Sequence, residues 1–280
     1  MLAVDFGGTN LRIADVSGRS VRNKQMFPSP QNGEELIDIL GRYLAGVDYT
    51  VGISVAGLID PETGHFIHLS SQKISDFPFS QVMLKKHGIK TKLINDCKAG
   101  ALAQMYYGSA IGLKNFVYLT FSTGIGAGVV IDGKILMGAN GLAGEVGHMS
   151  LIPNEFPCNC GRMGCWNVVS SGLYFSNKGL DAAKVFESAR NGDPEAHKHV
   201  EWIARWNGIG VANVINAFDP EAVVIGGSLT KSWDVFAPKM FEHIKENLCL
   251  SRDPGTIIRL AGLGDDGCMI GAWLNTRCIG

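Results

Sequence analysis

The order of apolar and polar positions divides the chain into short buried strands and amphipathic helices. LAVDF, beginning at Leu2, is a nearly continuous apolar run that ends in Gly7-Gly8, and TNLRIADVS then resumes as an alternation of apolar and polar residues. Two strand patterns about a glycine pair predict a β-hairpin. After a polar stretch, Leu36, Ile37, Leu40 and Leu44 recur at three- and four-residue intervals, which predicts a helix over about 34–45. YTVGISVAG and TKLIND read as buried strands, and CKAGALAQMYYG reads as the helix that follows the second. The hairpin pattern returns in NFVYLTFSTGIGAGVVIDGK, about 115 residues after the first, a weak internal repeat. VANVINAFDPEAVVIGGSL predicts a helix, a turn at Asp219-Pro220 and a buried strand ending in Gly226-Gly227. TIIRLAGL predicts one more strand, and a helix from about Gly267 closes the chain. Alternating strands and helices predict an α/β fold. The repeated hairpin predicts two domains of related topology: 1–110, with the closing helix 267–280 returning to it, and 111–266.

Composition narrows the function classes. The chain has 280 residues, 46% hydrophobic and 18% charged, with net charge −1, as expected of a globular protein. Lys and Arg are scattered, so neither nucleic acid nor a membrane surface is an expected partner. No stretch approaches the ~18–20 apolar residues of a membrane span. MLAVDFGGTN lacks a basic segment, apolar core and cleavage site, so a cytoplasmic location is expected. Seven cysteines, an odd number, argue against a disulfide framework. Thirty-six glycines exceed the usual share of roughly 7% and gather in a few short motifs.

Three of the cysteines stand close together in CNCGRMGC. Cys158, Cys160 and Cys165, with His148 ten residues upstream, offer three thiolates and one imidazole, a set that zinc accepts at tetrahedral geometry. The alternative is three incidental loop thiols. Four protein ligands would close the coordination sphere, so the expected zinc is structural. Asp5-Phe-Gly7-Gly8-Thr9-Asn10 places an acid before a glycine turn. Backbone N–H groups of such a turn can cradle phosphate oxygens, and the aspartate can hold magnesium through water. Ser122-Thr123-Gly124-Ile-Gly126-Ala-Gly128 has the same character, and Gly226-Gly227-Ser228 ends a later strand. Neither turn is a Walker loop or a GxGxxG opening a helix, and one glycine hairpin alone is only a hairpin. Their recurrence in both halves points to a nucleotide lying between two similar domains. Asn95-Asp96 lies where a buried strand meets a helix. Asp96 there is either a helix N-cap or a general base that takes a proton from a substrate hydroxyl, with Asn95 orienting a sugar.

On DFGGTN, IND, STGIGAG and GLAGEVGH followed by CNCGRMGC, the chain resembles the ROK family of repressors and sugar kinases over essentially its full length. The resemblance implies two actin-like, ribonuclease-H-like domains around a central cleft, and a kinase that uses ATP and Mg2+ and carries a structural Zn2+. It implies that Asp96 is the base and that Glu145 and His148 hydrogen-bond the sugar ring, His148 also ligating zinc. Gly57, in SVAGLID, would back the sugar. Asn167 stands where the family usually has a Glu that reaches the sugar, and Ser70 or Ser71 where it usually has Asn, so the resemblance makes Asn167 and Ser70 expected sugar-binding residues. The implied reaction is phosphorylation of a hexose on its primary (C6) hydroxyl, with glucose as the first expectation. N-acetylmannosamine, N-acetylglucosamine or 2-keto-3-deoxygluconate is the alternative substrate. Repressors of the family carry a helix-turn-helix before the first phosphate turn, and Asp5 lies almost at the start, so a non-catalytic sugar-responsive repressor is less favoured. An actin-like ATPase would not need the GEVGH loop. A homodimer or homotetramer is expected from the family. Cys97, Cys249, Cys268 and Cys278 read as small core or surface residues.

Overall fold

β1 (Leu2–Phe6) and β2 (Asn10–Ser17) pair antiparallel, with Ala3 opposite Ala14 and Phe6 opposite Leu11, so the predicted hairpin forms. β3 (Ser20–Pro28) continues the meander. Its residues 22–26 are exposed, which is why no alternation marks this strand in the sequence. β4 (Val51–Val55) lies parallel to β1. β5 (Leu58–Asp60), β6 (His65–Leu69) and β7 (Ile74–Phe77) form a separate antiparallel sheet. β8 (Thr91–Asn95) lies parallel to β4, giving the order β3-β2-β1-β4-β8. α1 (Gly33–Tyr43) is capped by Asn32, whose side chain accepts from the Glu35 N–H, and it ends slightly before its predicted limit, at Leu44. α2 (Phe79–His87) and α3 (Asp96–Tyr107) follow.

This computed structural model describes residues 1–249 and 253–277; Cys278 and the end of the expected closing helix lie outside them. One unit comprises Met1–Gly112, Lys134–Ala143 and the described residues from Gly262 onward; the other comprises Leu113–Gly133 and Gly144–Ala261. In the first unit, Val4 and Phe6 pack with Leu36, Ile37 and Leu40 of α1 and with Phe66 and Phe79, whose rings stack at 4.6 Å. Ala3 points to the opposite face, where Ala99 and Leu102 of α3 meet Met269 and Trp273 of the closing helix, Gly267–Asn275. Each fully buried side chain of this size contributes roughly 1.5–3 kcal/mol of transfer free energy. The period of two places Asp5 on the Ala3 face, at the carboxyl end of the strand.

The second unit repeats the plan. β9 (Phe116–Phe121) and β10 (Ile125–Ile131) form the second predicted hairpin. β11 (Lys134–Ile135) falls within the first unit's residues. β12 (Ala222–Gly226) runs parallel to β9, and β13 (Ile258–Leu260) parallel to β12. The order β10-β9-β12-β13 therefore matches β2-β1-β4-β8, the structural form of the sequence repeat. The fold is α/β, with two domains of actin-like, ribonuclease-H-like topology. The unit's helices are α4 (Trp166–Ser170), α5 (Gly172–Asn177), α6 (Ala182–Arg190), α7 (Pro194–Phe218), α8 (Trp233–Asn247) and α9 (Pro254–Ile257). α7 ends at the predicted turn, where Asp219 adopts a left-handed φ of 42°. The strand expected in TIIRLAGL begins only at Ile258. Pro254 occupies the first helical turn behind Asp253, whose side chain caps the Gly255 N–H, and this keeps the preceding residues helical. No helix among the described residues is long and apolar enough to cross a membrane.

Candidate functional site

In the first unit the carboxyl ends of β1, β4 and β8 carry Asp5, Ser54 and Asn95, with Asp96 next in sequence. Asn95 is the N-cap of α3, and Asp96 Oδ1 also accepts the Cys97 N–H, at 2.9 Å. Asn95 Oδ1 accepts the Cys97 and Lys98 N–H groups at 3.0 and 3.3 Å, and its Nδ2 approaches the Gly57 carbonyl at 3.4 Å. Asp96 is the first helical residue, half-buried. Gly57 has φ 152°, and a Cβ there would stand 2.5 Å from Leu69 Cδ2 and 2.9 Å from the His68 carbonyl oxygen, so no larger residue fits. The turn Gly7–Thr9 links β1 to β2, and Gly8 and Thr9 are exposed. The Gly7 carbonyl accepts from Ser29 Oγ at 2.5 Å and from Gln72 Nε2 at 2.8 Å. Ser70 and Ser71 lie exposed in the turn after β6, and Ser71 Oγ sits 3.0 Å from where a Cβ on Gly8 would stand.

Asp5 is almost wholly buried. Burial pushes its carboxyl above the ordinary value of 3.8, and the Arg12 guanidinium, 3.4 Å away, only partly opposes this. A buried carboxylate with incomplete compensation is a group that a bound cation would stabilise, which fits magnesium. The sign of its effect on stability follows from linkage. The ionised form is less favourable in the fold than in the unfolded chain, so Asp5 lowers stability as pH rises from about 3.8 through its raised native pKa. Asp5→Asn removes that penalty. In melts from pH 4 to pH 8, the Tm advantage of Asp5→Asn over wild type is expected to grow with pH. A difference that is flat or shrinks with pH would refute this account.

In the second unit, Gly126 and Gly128 lie within β10, opposite Thr120 and Tyr118, so the turn itself is Ser122–Gly124. The Ser122 carbonyl accepts the Gly172 N–H at 2.8 Å. The Thr123 carbonyl accepts the Leu173 N–H at 3.0 Å and the Ser171 hydroxyl at 2.8 Å. The unpaired N–H groups that every helix start presents are thus used by α5 to hold the turn. In a trans peptide the carbonyl and the following N–H point in opposite directions, so the N–H groups of Thr123 and Gly124 are turned away from α5. The next N–H, of Ile125, donates to Asn167 Oδ1 at 2.6 Å. Gly226 ends β12 and Gly227 follows it, beside this turn. Gly227 has φ 98°, and a Cβ there would stand 2.4 Å from the Phe121 carbonyl oxygen. The Ser122 and Ser228 hydroxyls are 3.1 Å apart.

GEVGH forms a single 3-10 turn, Val146–His148. A Cβ on Gly147 would fall 2.0 Å from the Ile125 carbonyl oxygen, so the turn rests directly on the start of β10. His148 Nδ1 lies 3.7 Å from Cys158 Sγ, and Cys160 Sγ lies 3.6 Å from Cys165 Sγ. One ligand atom from each of these four residues lies within 4.8 Å of the others. Ligands 2.0–2.3 Å from a tetrahedral ion stand about 3.3–3.8 Å apart, so the group fits zinc. Burial raises the Cys158 thiol and pushes that of Cys165 up to about 12, and a bound dication would offset that cost of charging them. His148 Nε2 faces the other way, 3.8 Å from Glu145 Oε2. A cavity of about 580 Å³ opens here, lined in part by Glu145, His148, Ser150 and Arg162.

Several supporting residues carry no motif. Trp166 is fully buried, edge-on to Phe121, and its Nε1 donates to Asn207 Oδ1 at 2.8 Å. Ser170 Oγ donates to the same oxygen at 2.9 Å, and Asn207 Nδ2 returns a bond to the Ser170 carbonyl at 3.1 Å. Through this satisfied buried amide, α7 fixes α4, which starts after Cys165 and carries Asn167. The one signal in sequence was an Asn on an otherwise apolar helix face. Arg12, Ser29 and Gln72 gave none, because their partners are set by strand register and by a loop from another sheet.

A profile of the ROK family matches residues 1–277. The chain is 32% identical to a glucokinase of Halalkalibacterium halodurans, over 98% of this chain and 94% of that one. It is likewise 32% identical to an N-acetylmannosamine kinase of Citrobacter koseri, over 81% of this chain and 83% of that one. The crystal structure of a ROK hexokinase from Thermus thermophilus superposes with a TM-score of 0.81 at 30% identity, covering 98% and 97% of the two chains. With its paired glycine turns and its Cys/His loop, the chain belongs to the ROK family.

Proposed function

We propose that this sugar kinase transfers the γ-phosphoryl group of ATP to the primary C6 hydroxyl of a hexose, with glucose the first candidate and Asp96 the general base. The observation that carries this reading is the division of labour at the start of α3. Asn95 is the cap, and Asp96 follows β8 as the first residue of α3, its Oδ1 also accepting the Cys97 N–H. A carboxylate suits the task because proton transfer comes late in a loose phosphoryl-transfer transition state, and a strong base is unnecessary. The glycine turns, with the N–H groups of Gly8, Thr123 and Gly124, would bind phosphate oxygens, together with the end of β12 at Gly226-Gly227. Mg2+ on the nucleotide would neutralise phosphate charge, with Asp5 as its protein anchor. Glu145 and His148 Nε2 would hydrogen-bond sugar hydroxyls, and Gly57 would let the ring approach the backbone. Zinc held by His148 Nδ1, Cys158, Cys160 and Cys165 would keep the GEVGH turn in its sugar-binding shape.

The equal identity to an N-acetylmannosamine kinase supports a second reading, in which an N-acetylhexosamine is the acceptor. ADP release, measured with ATP and Mg2+ across glucose, mannose, fructose, N-acetylglucosamine, N-acetylmannosamine and 2-keto-3-deoxygluconate, tests both. One sugar is expected to exceed the others by about a hundredfold in kcat/KM, a ratio that one site built for particular hydroxyls can supply. No turnover above the sugar-free rate would overturn the kinase reading, and sugar binding without turnover would favour a repressor-like role.

A further inference from the structure

We infer that Gln72 and Asn167 are positioning residues that aim the N–H groups of the two phosphate turns, and that neither is primarily a contact for the sugar. The inference rests on the reading of those turns as the ATP-binding elements. Both residues lie in segments that resemblance would assign to the sugar: Gln72 in LSSQKISDFP, Asn167 two residues after the last cysteine.

Each side-chain amide instead holds a peptide of the turn in its own unit. Gln72 is fully buried, and its Nε2 draws the Gly7 carbonyl inward together with Ser29 Oγ. The same planar peptide carries the Gly8 N–H, which therefore points away from Gln72, on the exposed side of the turn. Two successive glycines can rotate this peptide at little steric cost. A flipped peptide would present its carbonyl to a phosphate, so the donor direction depends on the bond from Gln72. Gln72 Oε1 is buried with no hydrogen-bond partner among the described residues, so the side chain's evident polar use is this one bond.

Asn167 acts at the far end of the second turn. Its Oδ1 takes the Ile125 N–H at 2.6 Å, while the carbonyl of that peptide, from Gly124, accepts the Ser122 N–H at 2.9 Å. The peptide that closes the turn is tied at both ends. Gly147 of the GEVGH turn rests on the Ile125 carbonyl, so Ile125 also joins the phosphate turn to the loop of Glu145 and His148. Donors fixed before the ligand arrives lose less freedom on binding and need no reorganisation during reaction.

The test uses Gln72→Met, Gln72→Glu, Asn167→Leu and Asn167→Asp, with melts to confirm folding. For each, the Kd of AMPPNP with Mg2+ is measured without sugar, the Kd of the preferred sugar without nucleotide, and both KM values in turnover. Gln72→Met and Asn167→Leu are expected to weaken nucleotide binding and raise the ATP KM by about tenfold, leaving sugar Kd within twofold of wild type. Asn167→Asp should recover nucleotide binding, because its carboxylate still accepts the Ile125 N–H. Gln72→Glu should not, because it cannot donate to a carbonyl. A raised sugar Kd with unchanged nucleotide Kd, or no change in either, would overturn the inference. Should Asn167→Leu fail to fold, Gln72→Met and the two conservative variants still decide it. Wild type that binds sugar but no nucleotide would overturn the ATP-site reading itself.

Discussion

Asp96→Asn is expected to lower kcat by about 10²–10⁴ while leaving the sugar Kd close to that of wild type. Asparagine keeps the size and the hydrogen-bonding reach of the aspartate but cannot accept the hydroxyl proton as the phosphoryl group departs. The helix should not suffer. Asn95 Oδ1 holds both the Cys97 and Lys98 N–H groups, and an asparagine Oδ1 at position 96 can keep the bond that Asp96 Oδ1 accepts from the Cys97 N–H. Melting temperature therefore separates a chemical effect from a structural one: Tm within a degree or two of wild type, sugar binding intact, turnover nearly gone. Near-normal kcat in the variant would remove Asp96 from the role of base. A large fall in Tm with parallel losses in binding and turnover would make it a structural residue.

Removal of the metal is expected to have the next largest effect. The purified chain should contain about one zinc, and stripping it with a chelator, or Cys165→Ser, should raise the sugar KM by roughly 10–100-fold, the cost usual for loosened metal-site support. Cys165 is fully buried and directly precedes α4, and the loop from Ser150 to Cys165 closes through an isolated bridge between those two residues. Without the ion, His148 keeps only weak ties on its Nδ1 side, and its Nε2 loses a fixed direction toward Glu145. The loop belongs to a larger domain, so the stability loss should be smaller than in an isolated zinc finger. A loss of about 3 kcal/mol would lower Tm by roughly 6–12 °C. Metal analysis, melts with and without chelator, and sugar titration check this together. Zinc-free protein with unchanged Tm and sugar KM would show that the four residues do not hold a metal that matters.

The parts of the chain that announced themselves in sequence share one property: their residues are neighbours along the chain. The hairpins of β1–β2 and β9–β10 follow from local alternation and a glycine turn, and both form with the expected pairing. Cys158, Cys160, Cys165 and His148 lie within one loop and its approach, so spacing alone suggested the cluster that the fold gathers. Asn95-Asp96 stood out because a buried strand turns into a helix there. β3 was missed because an exposed edge strand carries no burial pattern. The start of TIIRLAGL was misjudged because Asp253 and Pro254, just ahead of it, start a helical turn.

What only the tertiary structure decided is the direction of individual polar groups. Gln72 reaches Gly7 across 65 residues, Asn167 reaches Ile125 across 42, and Trp166 reaches Asn207 across 41. Arg12 meets Asp5 because the register of β1 on β2 sets them opposite each other. Hydrogen bonds depend on angle and on tenths of an ångström, and these are settled only when separate elements pack. The sequence by itself therefore determined the elements, the repeat and the stock of chemical groups, because periodicity and spacing are local. Packing decided which amide braces a turn and which N–H groups of the turns are turned away from their supports, because each of those choices is made by a partner distant in the chain.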